Sequence, residues 1–250
     1  IVVFQDITQR YELEKMKESF LSIAAHQLRT PLGSMRWSME LLKGGDLGKI
    51  PKKAQAALDQ LYDNSSRMLT IVNDLLNVSR IDQGRSKEAP GRADLGVLLG
   101  EVTTAMQGAI NEKNLKFDLH VPKMKLPQPT VSRKHLFEAF ENLIANAVRY
   151  TPEGGSIKVA LHKEKDELVV LIADTGIGIP EADQKKIFSK FFRAANAVQY
   201  FTDGSGLGLS VVKSYIEENG GSVSFVSQQN IGTTFTVRLP IEPKKLVILS

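Results

Sequence analysis

Apolar residues recur at spacings of three, four and three from Leu13 through Met16 and Phe20 to Ile23. That is the seam of a coiled coil, and it predicts a helix over residues 8–30. Pro31 removes an amide donor and should bend this helix. Beyond it Leu32, Met35, Met39 and Leu42 resume the spacing in a shifted register, until Gly44-Gly45 supplies a stop. A second helix is predicted from Pro51, suited to a first turn, to Asp82, with Leu58, Leu61, Met68, Val72 and Leu75 at heptad-like positions and Gly84 closing it.

Two long helices joined by a short Gly-rich loop have apolar stripes that only each other can cover, too little core for independent stability. A second copy of the chain would complete a four-helix bundle, so a parallel homodimer through residues 8–83 is expected. The alternative is packing of the hairpin on the rest of the chain. Residues 84–93 are polar and punctuated by Pro and Gly, a linker by composition.

The pattern then changes period. Helices are predicted near 94–112, 132–149 and 206–219, and strands near 115–121, 156–162, 167–173, 222–227 and 233–239. Helices on a mixed sheet follow, and with the hairpin the fold class is α+β. The chain of 250 residues has room for both units.

Charge and composition narrow the chemistry. With 32 basic and 28 acidic side chains the net charge is +4, and the cations are scattered, so no nucleic-acid footprint is indicated. The absence of Cys excludes a disulfide scaffold, a thiolate metal site and a Cys nucleophile, and it fits a reducing cytoplasm. The longest apolar runs are strand-sized, so no membrane span is expected in the chain. No signal peptide is visible, and a start at Ile1-Val-Val-Phe looks like a piece of something longer.

His26 sits one position before Gln27, which continues the Leu13–Phe20 column, so its imidazole is expected beside the seam and open to solvent. A neutral imidazole is nucleophilic near pH 7 and can take a phosphoryl group on one nitrogen while the other is held by a hydrogen bond. The run His26-Gln-Leu-Arg-Thr-Pro-Leu32 resembles the H-box of the sensor histidine kinases. The resemblance implies that His26 is the phosphoacceptor. It also implies that Thr30, one turn on, positions the water that hydrolyses a phosphorylated response regulator, and that Pro31 kinks the helix. Position 27 departs from the usual acidic residue: an amide can orient the imidazole but has no basicity to offer.

On the helix ending at Tyr150, Leu136, Phe140, Leu143, Ile144 and Ala147 are expected to face the sheet, and Glu138, Asn142, Asn146 and Arg149 to form a polar stripe. An Asn oxygen suits Mg²⁺, and Arg149 can neutralise phosphate. Leu168 to Ala173 reads as a buried strand that delivers Asp174 to its mouth, where Gly176 and Gly178 permit a tight turn and close approach of a ligand. Gly204-Ser-Gly-Leu-Gly-Leu209 leads into a helix, so Gly204, Gly206, Leu207 and Gly208 offer amides to an anion.

This order resembles the N, G1, F and G2 boxes of the GHKL ATPases, in their histidine kinase branch. The resemblance implies Mg²⁺ on Asn146, Asn142 as the second N-box amide, Arg149 on phosphate, Tyr150 against adenine and Asp174 on the adenine amino group. Ile187 to Arg193 resembles the F-box, with Phe188, Phe191 and Phe192 as packing residues and Arg193 near the phosphates. Thr233 matches a residue near the base. Between them, residues 194–203 lack a period and read as a mobile lid.

Ile1 to Thr8 resembles the end of a PAS sensor domain, and residues 241–250 read as a tail. The resemblance thus implies an upstream sensor segment over 1–7, a dimerisation and phosphotransfer hairpin over 8–83 and an ATP-binding domain over 94–240. ATP and Mg²⁺ are the implied cofactors, a second copy and a response regulator receiver domain the implied partners, and the cytoplasm the implied place. General-base help is worth roughly 10²–10⁴-fold. A Gln27→Glu protein should therefore label His26 faster than the parent in a phosphorylation time course, and an unchanged rate would show that position 27 does not limit the step.

Overall fold

The computed structural model describes residues 8–45, 48, 50–82, 89–202 and 204–242. The side chains of Leu13, Met16, Phe20, Ile23, His26 and Leu75 lie outside the described set. So do residues 1–7 with their PAS-like pattern, linker residues 83–88 and tail residues 243–250. The chain divides into two compact units, Ile1–Lys87 and Glu88–Ser250.

The first unit is a helical hairpin of α1 (Thr8–Gly44) and α2 (Lys52–Asp82). The helix runs through Pro31 to Gly44, where the Gly44-Gly45 pair was expected to stop it. Pro31 removes only the one bond that its amide would give the Gln27 carbonyl, and that carbonyl belongs to an exposed residue. Gly45, at φ +83°, takes the left-handed conformation that ends α1. Between the helices Ala25, Leu32, Val72 and Leu76 are buried together, with Leu69 against them. The Ser65 hydroxyl donates to the Leu32 carbonyl at 3.3 Å, and Arg29 bonds Asn73. Lys43 pairs with Asp59 at 2.6 Å and stands over the Tyr62 ring at 4.8 Å.

The apolar stripes read from the sequence are split by this packing. Leu32, Met39, Leu58 and Val72 are inside, whereas Met35, Trp37, Leu61 and Met68 are more than half exposed and Leu28 is half exposed. Leu28 and Met35 are seven apart, as are Leu61 and Met68, so each helix presents a second column that the hairpin does not cover.

The second unit opens with β1 (Gly91–Arg92), which pairs antiparallel with β3 (Thr130–Val131). The stretch read as linker to residue 93 is therefore already in a ladder at 91, because a partner strand forty residues on could not be seen from composition. Asp94 caps α3 (Leu95–Glu112), its Oδ1 accepting from the amides of Gly96 and Val97 at 2.9 and 3.1 Å. Then come β2 (Lys116–His120), α4 (Arg133–Tyr150), β4 (Ser156–Glu164) and β5 (Glu167–Asp174). Two short helices, α5 (Glu181–Gln184) and α6 (Ala195–Tyr200), precede α7 (Gly208–Glu218), β6 (Ser222–Gln228) and β7 (Gly232–Pro240). The long strands form one mixed sheet in the order β2-β4-β5-β7-β6, parallel between β2 and β4 and antiparallel elsewhere.

The helix faces fit this layer. Leu136, Phe140, Leu143, Ile144 and Ala147 are buried on α4, as their spacing predicted, and meet Leu98, Leu99 and Val102 of α3 and Val212 and Ile216 of α7 in the core. Val159, Leu161, Val170, Ile172, Val237 and Leu239 supply the sheet side. Phe140 is fully buried, so Phe140→Ala should destabilise the protein by about 3–5 kcal/mol in urea unfolding, and a loss under about 1 kcal/mol would contradict this placement in the core.

Candidate nucleotide and phosphoacceptor sites

In the first unit, His26 lies on the α1 backbone, Gln27 and Thr30 are exposed, and Ala25 at their side is fully buried. The seam thus turns away from positions 27 and 30, which leaves the Gln27 amide and the Thr30 hydroxyl available to an incoming group.

In the second unit the site gathers at the ends of β5 and β7. Asp174 closes β5 and stands in register with Thr233 on β7. Its Oδ1 accepts from the Gly176 amide at 2.8 Å and the Thr233 amide at 3.3 Å, and among the described residues nothing donates to Oδ2. Burial pushes the Asp174 carboxyl up to about 6, against the opposing pull of those two amides. A half-buried carboxylate with one oxygen spare can accept a hydrogen bond from a ligand's amino group.

Three glycines draw the loops around this carboxylate. A Cβ on Gly176 would stand 2.6 Å from the Tyr150 carbonyl oxygen, one on Gly178 2.0 Å from that of Gln228, and one on Gly232 2.0 Å from that of Asp174. The close approach expected of Gly176 and Gly178 to a ligand is therefore, in this structure, an approach to protein backbone. The turn is pinned further by Ser227, whose hydroxyl accepts from the Ile179 amide at 2.8 Å and lies 2.8 Å from the Thr233 hydroxyl. Ser227 was invisible to sequence reading because its role depends on the β6–β7 register.

On α4, Asn142 donates through Nδ2 to the Glu138 carbonyl at 2.9 Å, and its Oδ1 lies 2.7 Å from where a Cβ on Gly208 would be. The Gly-rich loop therefore meets the Asn helix without a side chain between them. Asn146 is half-buried and makes no hydrogen bond within the described residues. No group of three or more His, Cys, Asp or Glu among the described residues could hold a metal ion. A divalent cation here would rely on the Asn146 amide oxygen and on oxygens brought by the ligand, a donor set that fits Mg²⁺.

Gly206, at φ +68°, lies against the backbone of Phe191 and Phe192, and no side chain caps α7 after Leu207. The Leu207 amide, expected to face an anion, is taken by the Ser205 hydroxyl at 3.3 Å, which leaves the first-turn amides of α7 to do so. Phe188 packs edge-on to Phe225 and Phe235, as expected of a packing residue, but Phe191 is 62% exposed and takes φ +63°.

The stretch 194–203, read as lacking regular structure, contains α6. Arg193 donates to the carbonyls of Thr202, Ala197 and Phe201, and its guanidinium lies beside Gly204. In this structure the Arg193 guanidinium is thus occupied by carbonyls of the segment that follows it. Asn196, which sequence reading passed over, ties α6 to the Asp174 loop through Nδ2 to the carbonyls of Ile177 and Gly178, at 3.3 and 2.8 Å. Arg149 lies under the Phe201 ring at 5.0 Å. Lys113, also passed over, bonds three carbonyls at the end of α4.

The family models agree with this division of labour. That of the His Kinase A (phospho-acceptor) domain matches residues 16–84, and that of the histidine kinase-, DNA gyrase B- and HSP90-like ATPase matches residues 131–243. The chain is 30% identical over 240 residues to the sensor protein SrrB of Staphylococcus aureus (strain N315), an alignment covering 96% of this chain and 41% of that protein. It therefore spans about two fifths of the length of the curated relatives it matches. Full-length ShkA, solved in complex with AMPPNP, superposes with a TM-score of 0.73 over 89% of this chain and 45% of that one, at 25% identity. The nucleotide-free catalytic domain of the histidine kinase ThkA matches 62% of this chain and 100% of its own, with a TM-score of 0.55 at 27% identity.

The chain belongs to the sensor histidine kinases of two-component systems. It carries a phosphoacceptor domain followed by a GHKL-type ATPase domain.

The Asp174 carboxyl titrates above its ordinary 3.8 in the folded protein, so folding favours its protonated form. Its contribution to stability is present below about pH 4 and is lost as pH rises through about 6. Asp174→Asn should therefore flatten that part of the stability curve and be more stable than the parent in urea at pH 7.5. A variant less stable there would contradict the assignment.

Proposed function

We propose that the chain, as a homodimer, transfers the γ-phosphoryl group of ATP to His26 and passes it on to an Asp of a response regulator. The observation that carries this reading is the coexistence, in one chain, of the His26 motif with a half-buried carboxylate whose spare oxygen suits the adenine amino group. Asp174 selects the base, with Thr233 beside it and Tyr150 against the ring. The uncapped amides of α7 and the Gly204–Gly208 loop receive phosphate, with Arg149 and, after the lid opens, Arg193 adding positive charge. Asn142 and Asn146 present amide groups to this end of the site, and the Asn146 oxygen would hold a Mg²⁺ ion, which would neutralise phosphate charge.

In the phosphoacceptor domain, His26 attacks the γ-phosphorus through a ring nitrogen, the bond to the ADP oxygen breaks, and the imidazole loses its proton. Gln27 orients the ring but cannot take that proton, so the proton passes to solvent. Thr30 places a water for the reverse, hydrolytic role on the regulator. Phosphoryl transfer depends mainly on positioning and charge neutralisation, so the upstream sensor acts by changing how His26 and the ATPase domain meet.

The dimer reading is supported by the exposed heptad columns of Leu28 and Met35 on α1 and of Leu61 and Met68 on α2. A second hairpin would bury both. No helix among the described residues is long and apolar enough to cross a membrane. The proposed workplace is the cytoplasm, where ATP and a receiver domain are at hand, with the signal arriving from a sensor segment upstream.

Gln27 favours one rival specifically: a kinase-impaired scaffold or phosphatase-biased sensor that binds nucleotide without phosphorylating itself. Incubation with radiolabelled ATP and Mg²⁺ separates the two. Acid-labile, base-stable label in the parent and none in His26→Ala is the expected result, whereas bound nucleotide without label would establish the rival. Light scattering at micromolar concentration should give twice the chain mass, and a monomeric mass would end the dimer reading.

A further inference from the structure

The last turn of α4 poses a physical problem. It carries Asn146, Arg149 and Tyr150, and the carbonyls at the end of any helix lack partners within it. In this chain they are met from outside. The Ile177 amide donates to the Tyr150 carbonyl at 3.1 Å. Lys113 Nζ donates to the carbonyls of Val148 and Arg149 at 2.9 Å each and of Thr151 at 2.8 Å. An ammonium has three protons, and these bonds use all of them. They also place a full positive charge at the negative end of the α4 dipole.

Lys113 is itself held. It caps α3, its amide bonds the Ala109 carbonyl at 3.3 Å, and its carbonyl accepts from the Gly154 amide at 3.1 Å. The Tyr200 ring of α6 lies 5.9 Å from its Nζ, next to Phe201 over Arg149. One half-buried ammonium therefore joins the end of α3, the end of α4 and the lid.

We propose that Lys113 is a positioning residue for nucleotide binding: its three bonds fix the last turn of α4 so that Asn146 and Arg149 meet the phosphates together. The inference rests on the nucleotide-site reading above. It does not require Lys113 to touch the nucleotide; a misplacement of about 1 Å in the groups it orients is enough to cost up to 10²-fold.

The test is calorimetric titration of the full chain with Mg-ATP and, separately, with adenosine. Lys113→Met, close in volume and without donors, should bind ATP about tenfold more weakly while adenosine affinity stays within about twofold, because Tyr150, the base-facing residue of that turn, keeps its own tie through the Ile177 amide. Lys113→Arg keeps the charge but spreads its donors over a planar fork, and should fall between. Equal losses for ATP and adenosine would mean general loosening of the domain and would overturn the proposal, as would an ATP affinity unchanged in Lys113→Met. If Lys113→Met does not fold, Lys113→Arg decides, and parent-like ATP binding overturns the proposal. A parent that binds neither ligand would instead remove the nucleotide-site reading itself.

Discussion

A carboxylate that selects an amino donor, as proposed for Asp174, has to be sheltered from water and yet remain charged when the ligand arrives. The sheet meets both demands at the mouth of β5. Burial raises the carboxyl toward neutrality, and the amides of Gly176 and Thr233 pull it back by bonding one oxygen only. One amide comes from the loop that follows β5 and the other from β7, so the arrangement exists only when β5 and β7 are in register. Gly176, Gly178 and Gly232 then matter because backbone passes within van der Waals distance of each, and a side chain at any of them would push one loop off the carboxylate.

The same economy holds on α4. Its apolar face is committed to the core, and its polar face leaves the Asn146 amide unbonded among the described residues. Asn142 touches the Gly-rich loop at Gly208, and Lys113 and Ile177 secure the end of the helix from two sides. Rigid placement of free polar groups is what a phosphoryl-transfer site requires, since it has little covalent work to do.

Much of this was legible in the residues. The period of Leu136 to Ala147 gave the buried face of α4, and the run from Leu168 to Ala173 led to Asp174 at a strand end because apolar runs and period are local signals. What escaped was non-local. The β1–β3 ladder needs a partner far along the chain, and the roles of Ser227, Asn196 and Lys113 arise only when loops converge. The hairpin divides positions that the sequence groups together. Leu58, Leu61, Met68 and Val72 read as one stripe, but a helix packed on a single partner buries only part of so wide a face, and Leu61 and Met68 are left outside. The resemblance named both domains correctly; the exposed backbone strain at Phe191 and the self-bonded Arg193 could not have been read from it.

The central claim is that a half-buried carboxylate at the end of β5 chooses adenine. Parallel calorimetric titrations with Mg-ATP and Mg-GTP test it most directly, because guanine presents a carbonyl oxygen where adenine presents its amino donor. The account predicts measurable ATP binding with GTP weaker by a factor of at least about 10², in line with a site built around one buried hydrogen-bonding group. Equal affinity for the two nucleotides would contradict it.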